Sequence, residues 1–242
     1  MNIQQTNIDY ACGQSNHKGY LAWDSDIQGP RPGIIVIHEW WGLNEYIRQR
    51  TEMLAELGYC ALAIDMYGDG LIAETPDQAG AAMNKVLGDM ETGTERLKGA
   101  YQALLSQSQV DPERTAAIGY CFGGAMALHM ARIGMPLNAA VSFHGALGSF
   151  HTAKAGEIAA NVLVCHGAGD AMVSMDDVEN FKKEMDAAEA NYQVVIHPGA
   201  PHGFTSKEAD ANGKKYEIPV GYDAAADVDS WNAMQDLFKR SF

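Results

Sequence analysis

Apolar positions in this chain come in two patterns. Ile34-Ile35-Val36-Ile37 is an unbroken β-branched run, as expected of a central parallel strand covered on both faces. Residues 60–64, 115–118, 139–143, 161–165 and 192–196 read as further strands. Between them, apolar residues recur at helical spacing. Asn44 caps a predicted helix that runs to Leu57, with Ile47, Thr51, Leu54 and Leu57 on one face and Gly58 as its stop. Further helices are predicted at 77–87 (opened by Thr75-Pro76), 90–105, 176–188 and 224–238. Asp111-Pro112 reads as a turn. Residues 3–11 and 20–23 read as two short strands joined by a polar turn at 13–18. From Ile34 onward strands and helices alternate. That order predicts an α/β fold with a mostly parallel central sheet, helices on both faces and right-handed crossovers. The first two strands would add an antiparallel edge. Residues 206–221 carry Lys and acidic side chains and are predicted as either a lid or a surface loop.

One stretch departs from this regularity. Gly119-Tyr120-Cys121-Phe122-Gly123-Gly124 sits between the apolar run 115–118 and a helix predicted at 125–132. Strand, sharp glycine-flanked turn and helix make the nucleophile elbow of an α/β-hydrolase, here with Cys where Ser is usual. Strand and helix pass so closely there that the positions two before and two after the nucleophile must be small. Gly119 and Gly123 meet that need. A helix starting just after Cys121 aims N–H groups and a positive dipole end at the sulfur. That favours a thiolate and a developing oxyanion.

In open parallel sheets, ligands sit beyond the carboxyl ends of the strands. Those ends carry His38-Glu39-Trp40-Trp41-Gly42, Asp65-Met66-Tyr67, Cys121, His144, the segment His166-Gly167-Ala168-Gly169-Asp170, and Pro201-His202-Gly203-Phe204. Cys121, Asp170 and His202 fall in the chain order of a nucleophile, acid and histidine triad. His202 would take the Cys121 proton and later protonate a leaving group, while Asp170 would orient the imidazole. His38, His144, His166 and His197 read as structural. No metal is expected: His38-Glu39 begins like H-E-x-x-H, but Gly42 stands at the second histidine and the segment leaves a strand. G-x-G-x-x-G is missing after the first parallel strand, so no dinucleotide, and no other cofactor, is expected.

Composition narrows the picture. The 242 residues suit one domain spanning 1–242. A net charge of −14 argues against nucleic acid or an anionic membrane as partner. No run of about 18 apolar residues occurs, and the first residues do not form a signal peptide. The four cysteines, Cys12, Cys60, Cys121 and Cys165, form no C-x-x-C pair. That usage fits a reducing cytoplasm. The expected partner is a small molecule, and the expected state a monomer or homodimer.

In combination, Glu39-Trp40-Trp41-Gly42, the Cys121 elbow, His166 to Asp170 and Gly199-Ala200-Pro201-His202-Gly203-Phe204 resemble the dienelactone hydrolase family, the carboxymethylenebutenolidase-like branch of the α/β-hydrolases. The resemblance covers nearly the whole chain. It implies a Cys121-His202-Asp170 triad that hydrolyses a lactone or small activated carboxylic ester through a cysteinyl acyl-enzyme. It also implies that Glu39 holds the resting cysteine as a thiol, and that the backbone N–H groups of Phe122 and Trp40 form the oxyanion hole. Trp41, Tyr67, Tyr120 and Phe204 are the aromatics expected to line the substrate pocket. The family's carboxylate clamp is missing or rebuilt, since Gly203 follows the histidine and no arginine lies between Arg50 and Arg96. Lys85 or Lys207 would be its replacement. Two other readings are a general carboxylesterase of short-chain esters and a non-catalytic, redox-sensing protein on a hydrolase scaffold.

Overall fold

The computed structural model describes residues 1–13 and 15–242. Gln14, in the predicted 13–18 turn, lies outside the described residues. In chain order the elements are β1 (Ile3–Cys12), β2 (Ser15–Asp24), β3 (Arg31–Ile37), α1 (Glu45–Glu56), β4 (Cys60–Ile64), α2 (Pro76–Leu87), α3 (Met90–Leu105), β5 (Val110–Tyr120), α4 (Phe122–Arg132), β6 (Ala139–Phe143), β7 (Asn161–Gly167), α5 (Met175–Ala187), β8 (Tyr192–His197), α6 (Ala209–Tyr216) and α7 (Ala224–Ser241). The strands form an eight-stranded sheet ordered β1-β2-β4-β3-β5-β6-β7-β8. The chain resolves into two compact units, residues 1–118 and 119–242, with the division inside β5.

In the first unit, β1 and β2 pair antiparallel from Ile3↔Asp24 to Cys12↔Ser15. β1 matches its expected span to within one residue, whereas β2 starts at Ser15, inside the predicted 13–18 turn, because its first residues are polar and carry no strand signal. β2 joins β4 antiparallel, and β3 joins β4 in parallel. Ile34 to Ile37 and all of β4 are buried, so their continuous apolar runs reflect cover on both faces. Asn44 caps α1 by accepting from the Ile47 amide, and Gly58 ends it with φ +91°. Thr75 caps α2, and Pro76 occupies its first turn, where a missing N–H costs nothing. Asp111 and Pro112 belong to β5 rather than to a turn. Residues 111–114 are not buried, and proline is tolerated in extended chain where no donor is needed.

In the second unit, β6, β7 and β8 are parallel neighbours. Every residue of α4 is buried, including Arg132. That arginine donates to both oxygens of Glu184 on α5, at 2.8 and 2.7 Å, and to the Leu147 carbonyl at 2.8 Å. α5 starts with a capping box of Ser174 and Asp177. Residues 206–221, which carried no element signal, contain α6. After Glu217, at φ +54°, the chain returns along the segment that follows β8. There Gly221 N–H donates to the His202 carbonyl and Asp223 N–H to the Phe204 carbonyl. The segment is thus a strap behind residues 202–204.

At the first residue of this unit, strand and helix backbones pass close together. A Cβ on Gly119 would lie 2.0 Å from the Gly123 carbonyl oxygen and 2.7 Å from the Gly124 nitrogen. Both obstacles are backbone, so neither can rotate away. Gly119→Ala is expected to destabilise by at least about 3 kcal/mol, read as a lower urea midpoint at unchanged slope. Gly80→Ala is the control: nothing lies within 4 Å of its added Cβ inside α2, and a gain of about 0.5–1 kcal/mol is expected.

Candidate active site

Cys121 sits where β5 turns into α4, at φ 53° and ψ −116°. A non-glycine residue rarely holds this conformation, and it persists only where neighbours enforce it. Here the Cys121 N–H donates to the Phe143 carbonyl at 3.0 Å, and its own carbonyl accepts from the Gly124 and Ala125 amides. Cys121 is the N-cap residue of α4 but makes no side-chain cap. Its sulfur is therefore not engaged with the helix it precedes. Phe122 is the first residue of α4, and its amide belongs to the positive first turn.

The other two side chains come from loops following β7 and β8. Those loops are packed backbone against backbone. A Cβ on Gly167 would meet the Ala200 carbonyl oxygen at 2.2 Å, and one on Gly169 the Gly199 oxygen at 2.5 Å. The Ala168 amide donates to the His197 carbonyl, and the Gly169 amide to that of Ala200. Asp170 uses Oδ1 for the Met172 and Val173 amides, at 2.8 and 2.9 Å. Oδ2 remains for His202 Nδ1, at 2.8 Å, and His202 Nε2 lies 3.1 Å from Cys121 Sγ. His202 is only 5 % exposed. With Nδ1 on the carboxylate, Nε2 is left facing the Cys121 sulfur.

Electrostatics follow from this arrangement. Burial opposes charge on His202, but the Cys121 sulfur and the Asp170 carboxylate outweigh it and hold the imidazole well above its ordinary value. Burial likewise opposes the Asp170 charge, yet the bond to His202 and the two amides keep this carboxyl below the usual range. The other cysteines differ. Burial pushes the Cys12 thiol up to about 11 and that of Cys60 to about 12, and raises Cys165 as well. All four cysteines are free, and only Cys121 is not buried.

The remaining sequence candidates occupy several places. Tyr120 is fully buried and stacks on Phe143 at 4.8 Å, while Phe204 is fully buried beside His144 and His197. Both therefore pack behind the elbow and the His202 loop. In the first unit, Trp40 and Trp41 meet ring to ring at 5.0 Å, and the Tyr67 hydroxyl donates to the Trp40 carbonyl at 2.8 Å. Glu39 is 8 % exposed. His38 ties this loop down, its Nε2 accepting from the Met66 amide at 3.1 Å. His144 lies against the ring of His202, a proximity its place at a strand end did not signal. Among the described residues, no three or more His, Cys, Asp or Glu side chains converge to hold a metal. No helix among them is long and apolar enough to cross a membrane.

Two outcomes follow. At pH 7, iodoacetamide is expected to label Cys121 and spare Cys12, Cys60 and Cys165, as read by peptide mass spectrometry. Comparable labelling of a second cysteine would contradict the burial pattern. The depressed Asp170 carboxyl contributes stability that is present above its unfolded value, about 3.9, and is lost as pH falls through the folded value. The difference in urea midpoint between wild type and Asp170→Asn should therefore be largest near neutrality and shrink as pH drops below about 4.

Comparison with known proteins places this geometry. The model of the dienelactone hydrolase family matches residues 18–242, which span both compact units. A dienelactone hydrolase-like promiscuous phosphotriesterase from metagenomic libraries, known as a crystal structure, is 36% identical, with a TM-score of 0.92 and 100% of each chain covered. A solved structure named m3DLH is also 36% identical, with a TM-score of 0.95 and the same coverage. A protein of Escherichia coli (strain K12), named provisionally as a carboxymethylenebutenolidase, is 27% identical over 248 residues, covering 93% of this chain and 83% of its own. The sheet, its helices and these likenesses are those of an α/β-hydrolase, and the chain belongs to the dienelactone hydrolase family of hydrolases.

Proposed function

We infer that this hydrolase cleaves a lactone or small activated carboxylic ester through a cysteinyl acyl-enzyme. The observation that carries the reading is the imidazole of His202, bridged to Asp170 at 2.8 Å and to Cys121 at 3.1 Å. In this course Cys121 gives its proton to His202 Nε2, and the thiolate attacks the substrate carbonyl. The Phe122 amide, in the first turn of α4, receives the developing oxyanion. Protonated His202 then gives its proton to the departing alcohol or enol. Water, deprotonated by the same nitrogen, cleaves the thioester and regenerates the thiol. Asp170 keeps Nδ1 protonated throughout. Glu39 and the Trp40 amide enter by family resemblance alone, as the group that holds the resting thiol and as a second oxyanion donor.

Leaving groups decide the substrate class. A thiolate leaves a tetrahedral intermediate more readily than an ordinary alkoxide, so attack on an alkyl ester mostly reverts. Enol lactones and aryl esters carry leaving groups that compete with the sulfur. A second reading is supported by the 36%-identical relative that covers the whole chain and is named a promiscuous phosphotriesterase. The same thiolate and helix amides suit attack on the phosphorus of an aryl phosphate triester.

Pre-steady-state hydrolysis of 4-nitrophenyl acetate tests both. Wild type is expected to release a burst of one nitrophenolate per chain, with an acetyl group on Cys121 by mass spectrometry. Cys121→Ala should lose the burst, and His202→Ala should lose about 10³-fold or more in kcat/KM. No burst with unmodified Cys121 would favour the non-catalytic, redox-sensing alternative. An aryl phosphate triester run in parallel would leave a phosphoryl adduct on Cys121 if the second reading holds.

A further inference from the structure

His144 stands beside this site in an uncommon backbone conformation. It follows β6 at φ +41°, a region that few non-glycine residues occupy. It is fully buried. Its amide donates to the Cys165 carbonyl at 2.9 Å, which fixes the backbone. Its Nε2 shares a 2.7 Å hydrogen bond with Thr205 Oγ1, three residues beyond His202. Its ring stands nearly on edge to two others: that of His202 at 5.3 Å and 67°, and that of Phe204 at 5.1 Å and 77°.

This arrangement addresses a gap in the triad. Hydrogen bonds at Nδ1 and Nε2 fix the His202 ring along the line joining Asp170 to Cys121. Each bond can bend, so the two resist a tilt of the ring across that line only weakly. Such a tilt swings the Nε2 lone pair off the sulfur, and proton transfer is sensitive to that misalignment. A second ring set steeply against the first opposes that motion. We propose that His144, locked by Thr205, is a positioning residue that holds the plane of the catalytic imidazole. The bond to Thr205 ties the stop to the same loop that carries His202. The strap at Gly221 and Asp223 holds that loop from its other side through the His202 and Phe204 carbonyls. The strained backbone is the consequence of bringing a ring from β6 to this point.

The proposal rests on the Cys121-His202-Asp170 reading, so the test separates the two. The rate of Cys121 alkylation by iodoacetamide is followed from pH 5 to 10, together with steady-state hydrolysis of 4-nitrophenyl acetate and thermal melting. The titratable groups around His202 are Cys121, Asp170, His144 and His166. Thr205→Val removes the lock without touching the φ of residue 144, and Thr205→Ser keeps the hydroxyl. His144→Gln preserves a polar atom near the Nε2 position. His202→Ala reports on the triad itself.

Thr205→Val is expected to lower kcat about ten- to a hundred-fold with KM changed less than about threefold. It should also move the alkylation profile toward that of His202→Ala. Thr205→Ser should restore both, and His144→Gln should restore them in part. Wild-type kinetics in Thr205→Val, or a loss that appears only as a lower melting temperature, would overturn the positioning role while leaving the triad intact. An alkylation profile identical in wild type and His202→Ala would instead overturn the triad reading on which the proposal stands.

Discussion

Contact between backbones, with no side chain in between, decides where the three groups of this site meet. At Gly119 the end of β5 lies against the start of α4 closely enough that a single Cβ would reach 2.0 Å from a carbonyl oxygen. At Gly167 and Gly169 the end of β7 and the loop after it lie nearly as close to the loop after β8. Peptide planes cannot rotate out of the way as side chains do, so these contacts hold the loops that carry Asp170 and His202, whose side chains lie 2.8 Å apart, with Cys121 3.1 Å from His202.

Around this frame, polar groups are spent on holding loops. The two carboxylate oxygens of Asp170 divide their work, one on the amides of its own turn and one on His202. The division explains why an acid in a loop is both fixed and available. Asp65 plays a related part in the first unit, where its side chain accepts from the Tyr67, Gly68 and Gly70 amides and shapes the turn after β4. Arg132 and Glu184 join α4 to α5 by a paired charge that removal of either partner would leave uncompensated. Function here depends on rigid loops carried by a buried scaffold.

The site is built on one imidazole with two neighbours, the Asp170 carboxylate at 2.8 Å and the Cys121 sulfur at 3.1 Å, which together favour its charged form against burial. Burial raises the thiols of the other three cysteines. The same residue type is thus buried at three positions and half-buried at the start of a helix at the fourth.

Sequence alone determined the alternation of buried strands and amphipathic helices, the caps at Asn44 and Thr75, the elbow, and the chain order Cys121, Asp170, His202. Each of these is written in local chemistry: β-branched runs, a capping side chain, small residues at fixed offsets. The polar first half of β2 carried no strand signal, so its length waited for the pairing with β1. Pro112 looked like a turn because proline is a local signal, whereas its place in β5 is set by what lies beside the strand. The strap from 217 to 223 was illegible, since the Gly221 and Asp223 amides bond to His202 and Phe204, more than a dozen residues away. Tyr120 and Phe204 read as aromatics of a substrate pocket, and only packing showed them fully buried against Phe143 and against His144 and His197. His144 lay in the same blind spot. Its meaning depends on a ring 58 positions later in the chain, and no local pattern encodes a contact that the fold alone creates.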